Sequence, residues 1–196
     1  VLWSTGGIFI KNIQWTGLAI AGIRSLISGS FMLLVTRQSL HFFVRDEKGH
    51  VDKTSSLFFW IAAISYALTM ILFVVANKLT TSANAILLQY TCPIYIILLA
   101  PLLTGEKNLP SDYITVFDVM LGIILFFADG LESGNQLGNI LAALSGLSYA
   151  LATIFMRRCR GNSGEAMVLS HLITTLFCLP FVIQSGMPSP KSIFFL

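Results

Sequence analysis

"SANAILLQYTCPIYIILLAPLL", from Ser82 to Leu103, is 22 consecutive residues without one charge. The hydrocarbon core of a bilayer, about 30 Å thick, is crossed by roughly 20 apolar residues when they are helical. A helix satisfies every backbone N–H and C=O within the segment itself, which lipid requires. The stretch therefore reads as a transmembrane helix. Working outward, the same pattern recurs at Gly17 to Thr36, Leu57 to Ala76, Ile114 to Ala128, Leu137 to Met156 and Glu165 to Gln184, with Val1 to Ile10 as the tail of a further span. About seven spans result, and the predicted fold class is all-α: a polytopic integral membrane helical bundle.

Composition agrees with this reading. Of 196 residues 55% are hydrophobic and 11% charged, and the mean hydropathy of +0.80 excludes the surface that a soluble domain presents. Cys92, Cys159 and Cys178 are scattered, with no C-x-x-C and no histidine at ligand spacing, so neither a metal site, a cofactor site nor a disulfide framework is indicated. The net charge of +3 is not a nucleic-acid footprint, because the basic residues segregate by loop. Arg37, Arg45, Lys48, Lys53, Lys107, Arg157, Arg158 and Arg160 fall on one side if the first span runs outward, and only Lys11, Lys78 and Lys191 on the other. The positive-inside bias then places loops 37–54 and 157–164 in the cytoplasm of a multi-pass plasma or inner membrane protein.

An internal repeat is also visible. "WSTGGIFIK" (Trp3–Lys11) and "YALATIFMR" (Tyr149–Arg157) share an aromatic start, a small and polar stretch and an Ile-Phe-apolar-basic end. The next span echoes this with Arg24 and His171 before similar triplets. The copies fall in the first and sixth spans, with four spans between them, so the second crosses in the opposite direction. Inverted-topology repeats of this kind are widespread in secondary transporters.

One further stretch carries a family resemblance. "ANKLTTSANAILLQYTCPIYIILLAPLLTGEK", Ala76 to Lys107, resembles the end of the third and the whole fourth helix of EamA-type transporters of the drug/metabolite transporter superfamily: Ala76 before a turn, Ser82 with Ala83 and Ala85, Pro93 in mid-helix, and Glu106 with Lys107 on leaving. "LGNILAALSGLSYALATIFMRR", Leu137 to Arg158, is similar to the helix that opens the family's second repeat, and Arg24 sits where the second helix often has Arg. The resemblance implies ten helices in two inverted five-helix repeats, and transport of small metabolites. On that frame residues 1–131 form a first repeat with its start clipped and residues 137–196 the incomplete beginning of a second, so the chain reads as truncated.

The polar residues within the spans are the candidate site. A charge at bilayer depth costs about 2.5–3.5 kcal/mol on insertion scales, so Arg24, about two turns into its span, calls for a reason. It reads either as a cavity residue pairing with an anionic or carboxylate-bearing substrate or as a side chain snorkelling to the interface. In the fourth span Pro93 lacks an N–H and frees the carbonyl of Gln89, which marks a helix lining a cavity or a packing kink. Asn84, Gln89 and Tyr90 on that span, with Tyr66, Trp3 and Tyr149 elsewhere, are further substrate-binding candidates; aromatic residues equally serve packing. His171 and Asp118 are proton-coupling candidates. Stripes of small residues at four-residue spacing, Ala21/Ser25/Gly29 and Ala142/Gly146/Ala150, read as helix-packing surfaces.

The function expected is alternating-access transport of a small metabolite, amino-acid-like compound or drug, by an exporter or permease, with the lipid bilayer and a small-molecule substrate as partners and a homodimer as a possible assembly. The phosphate-cradling G-x-x-x-x-G-K-[ST] loop does not occur. The alternatives are an intramembrane enzyme acting on lipid-linked substrates and a non-transporting membrane scaffold. The chain is expected not to be an enzyme, since His41, His50 and His171 are isolated and the acids sit mainly in loops.

Overall fold

The computed structural model describes residues 2–36, 43–45, 50–128, 135–159, 163–189 and 192, and of residues 2–5, 8, 36 and 126–128 the backbone alone. Arg37, Lys48, Asp129, Arg160 and Lys191, and the side chain of Trp3, thus lie outside the described residues. The elements are helices in the order α1 (Leu2–Asn12), α2 (Gly17–Thr36), α3 (Lys53–Leu79), α4 (Ser82–Gln89), α5 (Cys92–Thr104), α6 (Pro110–Ala128), α7 (Gln136–Met156) and α8 (Ser163–Gln184).

Helix starts follow from side chains that accept the unpaired first-turn N–H groups. Asp52 accepts from the Thr54 and Ser55 amides at 3.1 and 3.2 Å, which starts α3 four residues before the predicted Leu57. Thr81 accepts from the Asn84 amide at 3.1 Å and Asn135 from the Leu137 amide at 2.9 Å. α5 stops at Gly105, whose φ of 68° is the left-handed conformation that glycine adopts without strain.

Among the described residues, five helical stretches are long and apolar enough to cross a membrane: Gly17–Val35, Lys53–Leu79, Ser82–Thr104, Gln136–Met156 and Ser163–Gln184. The third of these is α4 and α5 together. The span predicted as one helix from Ser82 is in fact broken at Tyr90 and Thr91, and Pro93 sits in the first turn of α5, where a missing N–H costs nothing. Of the other two predicted spans, the first is the 11-residue α1 resting on α3 and α4, and the fifth is the 19-residue α6, which packs chiefly on α5.

The helices alternate between two ends. At one end Val44 packs with Phe155, Cys159 and Ala166, Glu106 pairs with Arg157 and Arg158 at 3.5 Å each, and the Arg158 guanidinium donates to the Thr104 carbonyl. At the other end Lys78 donates to the Ile13 carbonyl, the Trp15 indole donates to the Ser185 carbonyl at 3.3 Å and the Thr80 hydroxyl donates to the Asn139 side chain at 2.6 Å. α1 therefore finishes at the end where α7 begins, and the two cross in opposite directions.

Small residues make up much of the interior, with a few large ones such as Phe59, Ile20 and Ile154 among them. Ala62, Ala63, Ala76, Ala85, Ala142, Ala150, Ala152 and Ala166 are buried, whereas Leu34 and Leu102 are 78% and 80% exposed. Lipid tails are as apolar as leucine, so helices gain nothing by hiding leucines from them; they associate by close backbone approach. α3 packs most extensively on α7, and α2 on α8. On α2 the approach is at Gly22 and Gly29, where an added Cβ would lie 2.8 Å from the Cys178 Cβ and 2.9 Å from the His171 Cβ. The predicted stripe on α2 thus divides: Gly29 meets α8, while Ala21 and Ser25 border a cavity.

The Glu106 pairs hold the ends of α5 and α7 together, but their side chains are 32–55% exposed. Solvent screening limits such pairs to under about 1 kcal/mol. Glu106→Gln is expected to lower the melting temperature only slightly; a collapse of the folded protein in detergent would show that the pair is a structural keystone instead.

Candidate functional site

A cavity of about 630 Å³ lies between α1, α2, α3, the α4–α5 break and α7. Its volume is that of a pocket for a small organic molecule. The break builds one wall: Gln89, Tyr90, Cys92 and Pro93 all line it. Residues at helical spacing supply the others, with Ala21, Arg24, Ser25 and Ser28 on one face of α2, and Tyr66, Thr69, Met70 and Phe73 on one face of α3.

Pro93 lies beside the break, in the first turn of α5. It borders the cavity, and the Gln89 carbonyl beside the break faces α7 at Gly146, where an added Cβ would lie 2.9 Å from that oxygen. A glycine there lets α7 cover the carbonyls of Leu88 and Gln89 at close range, in the manner of Cα–H···O contacts between membrane helices. The Thr91 hydroxyl donates to the Leu88 carbonyl at 2.6 Å and completes the cover.

Of the substrate-binding candidates, Arg24, Gln89, Tyr90, Pro93, Tyr66 and Tyr149 are brought together around this one space. Asn84 is not: it is 1% exposed, within the first turn of α4 and outside the lining. The backbone of Trp3 belongs to α1, and its side chain lies outside what is described. Arg24 has no hydrogen bond or ion pair among the described residues, and no carboxylate is among the lining side chains. α1 leaves room beside it, since an added Cβ on Gly6 would come no nearer than 4.0 Å to the guanidinium.

The two proton-coupling candidates sit differently. His171 is buried one ring behind the wall: the Tyr66 ring meets it edge-to-face with centroids 6.3 Å apart, and the same Tyr66 ring lies 6.2 Å from that of Tyr149. The His171 Nδ1 has no hydrogen-bond partner among the described residues. Asp118 is exposed on α6 and does not border the cavity.

Ser25, Ser28, Cys92, Ile96 and Thr153 line the cavity without having been singled out as site residues. The signal that finds most of them is helical phase from the singled-out residues: Ser28 lies four residues after Arg24, Ile96 three after Pro93 and Thr153 four after Tyr149. A smaller hollow of about 170 Å³, bordered by Glu106, Lys107, Asp112 and Arg157, shares Pro93 and Ile96 with the cavity, so the charged end of the bundle adjoins it along α5.

Comparison with known proteins agrees with this architecture. A curated relative, an uncharacterized transporter of Archaeoglobus fulgidus, is 28% identical over 160 residues, which are 82% of this chain and 54% of the relative. The chain thus spans about half the length of the curated relative it matches. The EamA-like transporter family matches residues 1–128, the helices that carry Arg24, Tyr66 and the broken fourth span. With spans, break and cavity in place and two thirds of its length matched, the chain belongs to the EamA-like transporter family.

Proposed function

We propose that the chain forms part of a secondary transporter that carries a small metabolite by alternating access, binding it in the cavity between α2, α3, the α4–α5 break and α7. The observation that carries this reading is Arg24, a cation at membrane depth facing an open space with no protein partner among the described residues. Such a charge is retained against its insertion cost when a ligand completes it. In this reading residues 1–131 and 137–196 belong to two inverted repeats, and α1 and α7 run in opposite directions as that relation needs. The basic end that gathers Arg157, Arg158 and Lys107 faces the cytoplasm. Transport is favoured over intramembrane catalysis because the family and the relative matched are transporters.

Counterflow of labelled metabolites in vesicles containing the full-length protein tests the proposal. Exchange of any one metabolite class supports it, and chemical turnover of a lipid-linked substrate without movement sinks it. Of the two proton candidates, His171 is the one next to the cavity wall, so His171→Gln is expected to flatten the pH dependence of uptake. Asp118→Asn is expected to leave that profile unchanged, and the reverse pattern would transfer the role to α6.

A further inference from the structure

The hydrogen-bonding groups around the cavity are not equally free. The Thr69 hydroxyl donates to the Ser65 carbonyl at 2.9 Å, and the Thr153 hydroxyl donates to the Tyr149 carbonyl at 2.8 Å. The Ser25 hydroxyl points to the Met70 sulfur at 3.7 Å. Three of the cavity's hydroxyl donors are therefore already committed within the bundle. The groups left over are the Arg24 guanidinium, the Gln89 amide, the Ser28 hydroxyl and the phenols of Tyr66, Tyr90 and Tyr149, none of which has a hydrogen bond among the described residues.

The neutral groups in that set can each donate or accept and so serve a ligand of either sign. Arg24 alone decides the sign. It presents five N–H donors in a planar fork, accepts nothing and stays charged, and among the described residues no lining carboxylate answers it. A cationic ligand would share the cavity with a like charge. A zwitterion would find a partner for its carboxylate and none of opposite charge for its ammonium. The remaining lining, Ile10, Phe73, Val74, Ile96 and the tyrosine rings, is apolar or aromatic.

Resting on the transport reading above, we propose that the substrate is an amphipathic organic monoanion: one carboxylate or comparable oxyanion held by Arg24, and an apolar, preferably aromatic, body lying against Tyr66, Tyr149 and Tyr90. Cations and zwitterions of the same shape are discriminated against. The cavity is a selector of charge as well as of size.

The test uses three probes of one shape and different charge, 3-phenylpropionate, phenylalanine and phenethylammonium, with the full-length protein in lipid nanodiscs. Calorimetry is expected to show 3-phenylpropionate binding about ten- to hundredfold tighter than either of the others, the span that charge-assisted hydrogen bonds give. In Arg24→Gln that preference is expected to vanish. Equal or tighter binding of the cation or zwitterion overturns the proposal, as does binding of none of the three at millimolar concentration, or an anion preference that persists in Arg24→Gln. Counterflow separates the two readings. Exchange of a cation or zwitterion leaves transport standing and removes the anion selectivity, whereas anion binding without exchange removes transport and leaves the selectivity.

Discussion

Arg24→Gln is expected to weaken substrate binding by about ten- to hundredfold while leaving membrane insertion intact and raising the melting temperature. The two effects have opposite signs for one reason. In the free protein the guanidinium faces the cavity without a protein counter-ion among the described residues, so the fold bears the cost of holding a charge at membrane depth, about 2.5–3.5 kcal/mol on insertion scales. Glutamine keeps a hydrogen-bonding head and removes that cost. The bound substrate, in contrast, loses hydrogen bonds to a charged group, about 1.5–3 kcal/mol, and each 1.4 kcal/mol or so is a factor of ten in affinity. Arg24→Lys keeps the charge without the planar fork and is expected to fall between the two. Thermal melting and binding measured on the same preparation decide the matter. A variant that melts lower and binds normally would make Arg24 a packing residue that satisfies helix carbonyls.

The second large effect is expected at Gly146, far less conspicuous in the chain. Its missing side chain is filled by the backbone of the broken span: a Cβ there would lie 2.9 Å from the Gln89 oxygen and 3.2 Å from both the Leu88 oxygen and the Thr91 hydroxyl. These are backbone atoms and a tied hydroxyl, so they have little freedom to give way. Gly146→Ala is expected to destabilise by about 1–3 kcal/mol, the usual cost of overpacking, and to reduce binding as well, because the atoms it displaces carry Gln89, Tyr90 and Pro93 into the cavity wall. Gly138→Ala, whose Cβ would lie 2.7 Å from the Thr80 amide nitrogen, is expected to destabilise comparably without acting on the cavity lining. Gly122 has open space around it, and Gly122→Ala is the control, expected within about 0.5 kcal/mol of the parent. Equal melting temperatures for Gly146→Ala and Gly122→Ala would show that α7 does not seal the break.

Ser82–Leu103 shows how far the chain alone can be read. The length and apolarity of this stretch pointed to a helical membrane crossing, because a helix of about 20 apolar residues spans the hydrocarbon core with its backbone satisfied within the segment. Pro93 marked where the ladder must lose a bond. Whether that loss ends as a bend or as two helices depends on what stands opposite the freed carbonyls. Gly146 answers it from 57 residues away along the chain (146 − 89), in a helix that sequence proximity does not connect to it.

The same division runs through the candidate site. Arg24, Gln89, Tyr90 and Pro93 were legible because a polar or helix-breaking residue in an apolar span is costly wherever it points. Asn84 has the same claim by composition and is buried outside the cavity, one helical face away, since polarity does not encode direction. His171 and Asp118 were equivalent as titratable groups within spans; helix packing put one behind Tyr66 and the other on the exposed side of α6. By itself the sequence determined that the protein lies in a membrane, which stretches are apolar enough to be candidates for crossing it, and which side chains there need a reason. Only the tertiary structure decided which of them share a space, because lipid rewards apolar length uniformly, while close helix packing distinguishes one face from the next.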